Sequence, residues 1–588
     1  MKKNIFLIVL LICICFGMVA CSKDEVQDTG DTEESFPEEN NTQYITIAEN
    51  GTVNYQIVYP CNSNDKVITS ARDLFKAIEK RSNGTPKMHD DYSSANVQHD
   101  SEALEILIGK TSYAETQQVL DDIGYGEWKI CAVGNKIVVT AYSEESIQTA
   151  VTKLIVEIKN GSTEDGAIRL PENFELSGSS FESANYLPKY IGNKIPNVVD
   201  SGDDASLAVF SDTSLDEYDR YLAKLEALGY TYYTSNKMAE NYFATYHNGE
   251  YLIHAGYYGY EKAARITIEP KTDLVSLSSE NVYTANPNVT TSLAQFGVSH
   301  TGTEYAGVGM AYVIQLADGS FIVIDSGYGA DADRLYSYMK SKAPDGNIVI
   351  ASWIITHSDG DHIGGILMFA PRYKDKVTIE QLIFNFPGAD TYLDMNGSPN
   401  TTVKTALSAY EECKIIKAHA GQKFFIRNAV VEILSTLESY LPKKTTIFNN
   451  TSLAFTVDIE DERLMFLGDI SDELAEVLYD TFEGTDYLRC DFLQLSHHGI
   501  RNSHGTNMPN MVELYTLMRP SVVLWPTSNT EYLNTNRNES YQIHLHQWNA
   551  EAADVAREVW IAGEDYATVF ELPYGLFSAR RELITIVE

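Results

Sequence analysis

Residues 356–365 read Thr356-His357-Ser358-Asp359-Gly360-Asp361-His362-Ile363-Gly364-Gly365, and this segment is the most informative about the fold. It follows residues 348–355, an uncharged run rich in β-branched side chains that is typical of a buried strand. Alternate residues of an extended loop point the same way, so His357, Asp359 and Asp361 can share one side. His362, at the start of a helix, can then reach a second metal ion. The glycines let the backbone curl around metal, and the pattern predicts a metal site at a strand end.

Three further motifs accompany this loop along the chain. Upstream, a hairpin of residues 312–316 and 321–327 delivers Asp325 to a strand end, where it could brace the ligand loop by hydrogen bonds. Downstream, residues 463–469 form a predicted strand that ends in Asp469. Residues 492–499 form another, which ends in His497-His498-Gly499. We expect the ends of these three strands and of the strand before His357 to lie at one edge of the predicted fold.

This ordered set of motifs resembles the metallo-β-lactamase superfamily, from about Ala306 to the end of the chain. The resemblance implies a four-layered αββα sandwich with a dinuclear metal site along one edge. It implies that His357 and Asp359 hold one ion and that Asp469 bridges the two. The second ion would be held by Asp361, His362 and one of the pair His497 and His498. His498 is favoured because the last ligand of the superfamily usually precedes glycine directly, but both are kept.

Two departures from the superfamily pattern narrow the resemblance. Most members have histidine where this chain has Asp359, and they carry another histidine before the Gly-Asp strand, where this chain reads Phe448-Asn449-Asn450-Thr451-Ser452-Leu453. Together with His497-His498-Gly499, these two departures are similar to the metallo-hydrolase domain of the ComEC-type DNA-internalisation proteins. This chain would be a soluble lipoprotein form of that branch, without the membrane channel. The site of the ion held by His357 and Asp359 therefore has a carboxylate in place of one imidazole and lacks another imidazole. Carboxylate oxygen is a harder ligand, so Mn²⁺, Fe²⁺ and Mg²⁺ are candidates for this site besides Zn²⁺.

The predicted chemistry is hydrolysis with two divalent ions. Such ions can lower the pKa of a shared water and present a bridging hydroxide to a carbonyl carbon or phosphorus. Asp361 would orient the hydroxide or accept its proton. Asn449, Ser452 or Ser496 could donate hydrogen bonds to the substrate oxyanion. The lesser candidates among the histidines are His419, His504, His544 and His546.

The N-terminus has the pattern of an export signal. Lys2 and Lys3 precede an apolar run, residues 5–16, and then Met18-Val19-Ala20-Cys21, which resembles the lipobox of bacterial lipoproteins. We therefore expect residues 1–21 to be a signal peptide, Cys21 to be lipidated, and the protein to lie outside the cytoplasm on a bacterial membrane. An uncleaved membrane anchor is the alternative. Residues 22–43 are polar and acidic and are expected to form a disordered tether.

Two small units are predicted between the tether and the hydrolase domain at residues 286–588. Residues 44–180 alternate strands and helices, as in a small α/β domain. Within them, residues 105–111 and 133–140 resemble the small domain that precedes the catalytic barrel in hexosaminidases and α-glucuronidases, which implies a carbohydrate-enzyme accessory module. Residues 188–280 predict an α+β domain with tyrosine-rich strands. Those tyrosines either cover a sheet or form a ligand surface.

Composition limits the partners. The chain has 82 acidic and 44 basic residues, a formal net charge of -38, and no lysine or arginine cluster. This disfavours tight nucleic-acid binding, which draws most of its affinity from cations on phosphates, although acidity also serves solubility. Cys61, Cys131, Cys413 and Cys490 have no paired spacing, so no disulfide framework is indicated.

The sequence thus predicts an extracytoplasmic metal-dependent hydrolase. Its substrate would be a phosphodiester, a small-molecule ester or a glycan ester. The alternative is a surface-anchored ligand-binding protein that keeps the metallo-β-lactamase fold without catalysis. The oligomeric state is left open.

Overall fold

The structure is a computed structural model, and it describes residues 43–92, 99–272, 283–298, 308–386, 399–443, 445, 448–500, 508–532 and 547–587. The predicted signal peptide with Cys21 and nearly all of the predicted tether lie outside the described residues, as do His504, His544 and His546. Among the described residues, no helix is both long and apolar enough to cross a membrane. Cys61, Cys131, Cys413 and Cys490 form no disulfides.

The N-terminal part of the described chain holds a six-stranded and a three-stranded sheet. Its strands are β1 (Tyr44–Glu49), β2 (Thr52–Val53), β3 (Gln56–Tyr59), β4 (Met88–Asp90), β5 (Glu105–Ile108), β6 (Glu127–Val133), β7 (Lys136–Ala141), β8 (Ile168–Pro171) and β9 (Glu175–Ser179). Its helices are α1 (Asp65–Ser82), α2 (Ala114–Asp122) and α3 (Glu144–Asn160). The larger sheet has the order β4-β3-β5-β7-β6-β9, and its first four strands run parallel. Leu74 of α1 and Leu154 of α3 are fully buried against it, as the periodicity of an amphipathic helix requires.

The middle part forms one antiparallel sheet with a helix on one face. It contains β10 (Asn197–Gly202), β11 (Ala205–Phe210), α4 (Leu215–Ala227), β12 (Thr231–Met238), β13 (Asn241–His247), β14 (Tyr251–Tyr258) and β15 (Ala263–Pro270), in the sheet order β10-β11-β15-β14-β13-β12. Ser214 and Glu217 form a capping box that starts α4. Tyr218 and Tyr221 of this helix are buried on one face of the sheet. Phe243 and Tyr258, on the other face, pack into the core of the C-terminal part, so both faces are covered.

The C-terminal part contains two large sheets. In chain order its strands are β16 (Ser292–Phe296), β17 (Ala311–Gln315), β18 (Phe321–Asp325), β19 (Ile348–Ile354), β20 (Val377–Ile379), β21 (Gln381–Phe384), β22 (Lys414–Lys417), β23 (Lys423–Ile426), β24 (Ala429–Ser435), β25 (Ala454–Ile459), β26 (Glu462–Phe466), β27 (Phe492–Gln494), β28 (Val522–Trp525), β29 (Glu558–Ile561), β30 (Tyr566–Glu571) and β31 (Arg580–Leu583). One sheet has the order β22-β21-β19-β18-β17-β16-β30-β31, with β20 beside β19, and the other runs from β23 to β29 in sequence. Strands β18 and β19 are parallel in the first sheet, and β26 to β29 are parallel in the second.

Helices cover the outer face of each sheet. They are α5 (Ala332–Lys342), α6 (Gly360–Tyr373), α7 (Pro399–Leu407), α8 (Asp472–Phe482), α9 (Pro509–Met518), α10 (Asn529–Tyr532) and α11 (Gln547–Ala553). Leu335 and Phe369 pack on the first sheet, whereas Leu478 and Leu514 pack on the second. A separate apolar core, which includes Ile324 and Phe466, lies between the sheets. These four layers confirm the predicted α/β fold with a C-terminal αββα sandwich.

A buried network of charges joins the middle sheet to the C-terminal sandwich. The His419 imidazole donates through Nδ1 to Glu438 Oε2 at 2.6 Å, and its Nε2 lies 3.4 Å from Glu269 Oε2 of β15. Glu438 also accepts a hydrogen bond from the Ser201 hydroxyl, and Lys417 donates to the Ser201 carbonyl. His419 is therefore a structural residue of this interface.

Candidate metal centre

Strand order brings the predicted ligands to one edge of the sandwich. Asp325 ends β18, and His357 follows β19 after two residues. Asp469 and His498 follow β26 and β27 of the opposite sheet. Because the carboxyl ends of parallel strands share an edge, both sheets deliver side chains to the same place. Asp359 is the N-cap of α6, so Asp361 and His362 fall in the first turn of that helix.

The imidazoles and carboxylates converge on Asp469. Its Oδ2 lies 3.1 Å from His498 Nε2, 3.2 Å from His362 Nε2 and 3.9 Å from His357 Nε2. Asp361 Oδ2 lies 3.2 Å from His498 Nε2 and 3.8 Å from His362 Nε2. On the opposite side, Asp359 Oδ2 lies 3.5 Å from His357 Nε2. Asp469 thus lies within 4 Å of His357, which has Asp359 beside it, and of His362 and His498, which have Asp361 beside them.

Asp325 fixes the orientation of the ligand loop. Its Oδ1 accepts the Thr356 N–H at 2.8 Å, and its Oδ2 accepts the Thr356 hydroxyl at 2.7 Å and His362 Nδ1 at 2.7 Å. Since a carboxylate only accepts, Nδ1 of His362 carries a proton, and its Nε2 faces Asp469. His498 is held in the same way, because its Nδ1 donates to the Pro526 carbonyl at 3.0 Å. Outer partners of this kind orient metal-binding imidazoles in proteins.

Close packing around the loop explains one of its glycines. The Ser326 hydroxyl donates to the His362 carbonyl at 2.6 Å and accepts the Ile366 N–H at 2.9 Å. This contact brings the Ser326 carbonyl oxygen within 2.1 Å of where a Cβ at Gly365 would stand. Only glycine therefore lets the start of α6 rest on the Asp325-Ser326-Gly327 turn.

The electrostatics of the cluster favour a bound cation. Burial alone would lower the pKa of His362, but the charges of Asp469, Asp361 and Asp325 raise it well above its usual value. Burial likewise opposes protonation of His498, and Asp469 and Asp361 still raise its pKa to about 9. The imidazoles in turn outweigh burial at the carboxylates, holding the pKa of Asp361 at about 2 and that of Asp469 well below its usual range. The site therefore concentrates negative charge that attracts positive charge.

The donor set fits a pair of divalent ions. The donor atoms of His357, His362 and Asp469 lie within 4.8 Å of one another, as do those of Asp361, His362 and His498. Asp469 Oδ1 is buried and has no hydrogen-bond partner among the described residues, which leaves one carboxylate oxygen open for ligation. Mixed imidazole and carboxylate donors suit Zn²⁺, Mn²⁺ or Fe²⁺.

Several predicted site residues lie outside this cluster or serve it indirectly. The Ser452 hydroxyl is fully buried and accepts the backbone N–H of Asp469 at 3.1 Å, so it holds the backbone from which the carboxylate extends. The Ser496 hydroxyl donates to the Ile470 carbonyl at 2.6 Å, so this proton is engaged within the fold. His497 Nδ1 donates to the Ile500 carbonyl at 2.7 Å, while His498 is the histidine of the pair in the cluster. Asn449 lies in a short 3₁₀ turn just before Ser452 and is only partly buried.

Sequence reasoning missed Thr356 as a functional residue. Besides its two bonds to Asp325, its hydroxyl lies 3.1 Å from His357 Nδ1. It therefore connects Asp325 to both histidines of the ligand loop. The only signal in the sequence is its place directly before His357, where a hydroxyl side chain stands at the end of an apolar strand.

One family model matches the part of the chain that carries this site. The sequence model described as "Metallo-beta-lactamase superfamily" matches residues 305–506. Residues 305–506 form a metallo-β-lactamase domain. No curated protein matches the sequence significantly.

Three solved structures have low similarity to about half of this chain. The metallo-beta-lactamase fold protein YhfI from Bacillus subtilis is 14% identical, with a TM-score of 0.31 over 48% of this chain and 99% of that one. Human tRNase Z, short form, is 16% identical, with a TM-score of 0.27 over 48% of this chain and 99% of that one. CmlA, a diiron beta-hydroxylase from Streptomyces venezuelae, is 12% identical, with a TM-score of 0.30 over 49% of this chain and 55% of that one. At these scores the similarities support no statement about substrate.

Proposed function

We propose that this protein is a hydrolase that depends on two divalent metal ions, with Zn²⁺ or Mn²⁺ as the leading candidates. The observation that carries the proposal is the approach of three imidazoles to Asp469, whose Oδ1 is left open, with the carboxylates of Asp359 and Asp361 beside those imidazoles. His357 and Asp359 would hold one ion. Asp361, His362 and His498 would hold the other, and Asp469 would bind both. When bound, the ions would supply Lewis acidity and an activated water.

The chain's own residues prepare this chemistry. Asp325 and Pro526 hold His362 and His498 in the tautomer that presents Nε2 to the cluster. Asp361 is partly exposed, with a side-chain exposure of 20%, whereas Asp469 is at 3%. Of the two carboxylates assigned to the second ion, Asp361 is therefore the one placed to accept a proton from attacking water. Asn449 is the remaining candidate to hydrogen-bond the substrate, since the Ser452 hydroxyl is fully buried and the Ser496 hydroxyl donates to the Ile470 carbonyl.

The finer assignment is to the ComEC-like branch. Asp359 in place of histidine, the Asn449-Asn450 pair and His-His-Gly support it, and they favour a phosphodiester as substrate. The net charge of -38 would repel a long polyanion, so a small phosphodiester is preferred over DNA. An ester of a small molecule or glycan is the competing substrate class.

The proposed location is outside the cytoplasm, on a bacterial membrane, through a lipid on Cys21. The residues that support it are the basic start, the short apolar run and the cysteine after Ala20. Cys21→Ala should move the protein from the membrane fraction to the soluble fraction, and unchanged fractionation would contradict lipid anchoring.

The substrate test uses the purified full chain loaded with Mn²⁺ or Zn²⁺. Bis-p-nitrophenyl phosphate, single-stranded DNA and p-nitrophenyl acyl esters are offered separately. Turnover of the phosphodiester supports the proposal, and turnover of esters alone contradicts the ComEC-like assignment. A chain that holds both ions and turns over none of the three would favour the surface ligand-binding alternative.

Asp469→Ala tests whether Asp469 bridges the two ions of the metal centre. It should abolish turnover, because it removes the carboxylate that lies within 4 Å of His357, His362 and His498 and that would bind both ions. Asp458→Ala is the control, since Asp458 pairs with Arg463 at the protein surface and lies outside the ligand groups. Turnover that survives Asp469→Ala would contradict the bridging assignment.

A further inference from the structure

Gln494 holds together the two loops that carry Asp469 and His498. It ends β27 and is fully buried. Its Oε1 accepts the N–H groups of Leu467 at 2.8 Å and Gly468 at 2.9 Å. Its Nε2 donates to the carbonyls of Gly468 at 3.0 Å and Leu495 at 2.6 Å. The amide therefore makes four hydrogen bonds, all of them to backbone.

These bonds replace strand pairing where the two strands separate. The parallel pairing of β26 and β27 ends at Met465 and Leu493, just before the residues that Gln494 joins. Gly468, at φ +56°, turns the chain from β26 toward Asp469, and its carbonyl also accepts the His497 N–H at 3.1 Å. The Gln494 side chain thus ties the turn before Asp469 to the loop that carries His498.

We infer that Gln494 is a positioning residue of the metal centre, which sets the separation of Asp469 and His498 and through it the affinity for the ion they would share. The inference rests on the proposed function. Asp469 Oδ2 and His498 Nε2 come from different loops and lie 3.1 Å apart, so a shift in either loop changes the donor geometry directly. Only an amide offers two acceptor lone pairs and two donors in one plane. An ionised glutamate would instead face the Gly468 and Leu495 carbonyls with no proton to donate.

The test measures metal binding separately from folding. Wild type, Gln494→Leu and Gln494→Glu are titrated with Zn²⁺ in competition with a chromophoric chelator, and their metal-free unfolding midpoints are recorded. Gln315→Leu is the matched control, because Gln315 is a buried glutamine of β17 that donates to the Lys342 carbonyl at 2.9 Å and lies outside the ligand groups. Outer partners of metal ligands typically contribute about 10–100-fold in affinity. We expect one of the two ions to bind that much more weakly in both Gln494 variants and both ions to bind normally in Gln315→Leu.

The outcomes are distinguishable. If either folded Gln494 variant binds both ions with wild-type affinity, the inference is wrong, even if its unfolding midpoint falls. Gln494→Glu keeps the size of the side chain and the two bonds accepted from the Leu467 and Gly468 N–H groups. It therefore provides the test if Gln494→Leu fails to fold. The Co²⁺ absorption bands of the loaded protein give a second measurement, because a change in donor geometry shifts them and a general loss of stability does not. A wild-type chain that bound no ion would contradict the proposed function itself.

Discussion

Replacing Asp325 by asparagine should weaken metal binding without removing any ligand. The Asp325 carboxylate is fully buried and accepts three hydrogen bonds, two from Thr356 and one from His362 Nδ1. Asparagine keeps the shape but turns one acceptor oxygen into an NH₂ group. At least one of the three donors then faces another donor.

The size of the loss in metal affinity depends on which nitrogen of His362 carries the proton in the variant. If the new amide faces Nδ1, the imidazole accepts there and carries its proton on Nε2, the atom that lies 3.2 Å from Asp469 Oδ2. Binding a metal ion then requires the unfavourable tautomer or a rearranged loop. Hydrogen bonds to charged groups contribute about 1.5–3 kcal/mol, and about 1.4 kcal/mol corresponds to a tenfold change in affinity. The affinity of the ion held by His362 should fall by about 10–100-fold, as for other outer partners of metal ligands.

The assay is a Zn²⁺ titration against a chromophoric chelator, with Asp318→Asn as a closely matched control. Asp318 also accepts three hydrogen bonds, from the Ser320 N–H at 2.9 Å, the Ser320 hydroxyl at 2.6 Å and Arg427 Nε at 2.8 Å. It lies outside the ligand groups, so Asp318→Asn should leave metal affinity unchanged. Equal affinities for wild type and Asp325→Asn would refute the claim that Asp325 sets the His362 tautomer.

Three further predictions concern the packing and the buried polar groups. Gly365→Ala should lower the free energy of unfolding by about 1–3 kcal/mol in urea titrations, because its Cβ would strike the Ser326 carbonyl, whereas Gly360→Ala, with no atom within 4 Å, should change it little. Ser452→Ala should weaken metal binding and leave KM unchanged, because its hydroxyl orients Asp469; a raised KM would instead indicate contact with substrate. Burial alone would lower the pKa of His419, but Glu438 and Glu269 outweigh it and raise the pKa to about 9. The stability that His419 contributes is therefore full below its unfolded pKa of about 6.5 and is lost as pH rises through about 9. His419→Gln should flatten the fall in unfolding free energy over that range, and a wild-type slope in the variant would contradict this.

The parts of the site that the sequence predicts are those fixed by local pattern. Apolar runs that end in Asp, His or Gly identify strand ends, and parallel strands bring such ends to one edge. The convergence of His357, His362 and His498 on Asp469 follows from that rule. The layers of the sandwich follow from the same runs, since each is buried on both faces.

Other features depend on contacts between distant segments, and no local pattern encodes them. From the sequence, the Ser452 hydroxyl is a possible hydrogen-bond donor to substrate. In the folded chain it accepts the Asp469 N–H instead. Gln494 lies in an apolar strand, and only the separation of β26 from β27 gives its amide four backbone partners. His419 finds Glu269 across the contact between the middle sheet and the sandwich, so its role as a structural residue appears only in the folded chain.

Whether the protein holds a dinuclear centre is decided by the metal content of the purified chain after reconstitution with Zn²⁺ or Mn²⁺ and removal of free ions. Inductively coupled plasma mass spectrometry should find two ions per wild-type chain and fewer in Asp469→Ala, because that carboxylate would bind both ions. A wild-type chain that retains about one ion or fewer would contradict a dinuclear centre and with it the proposed hydrolase.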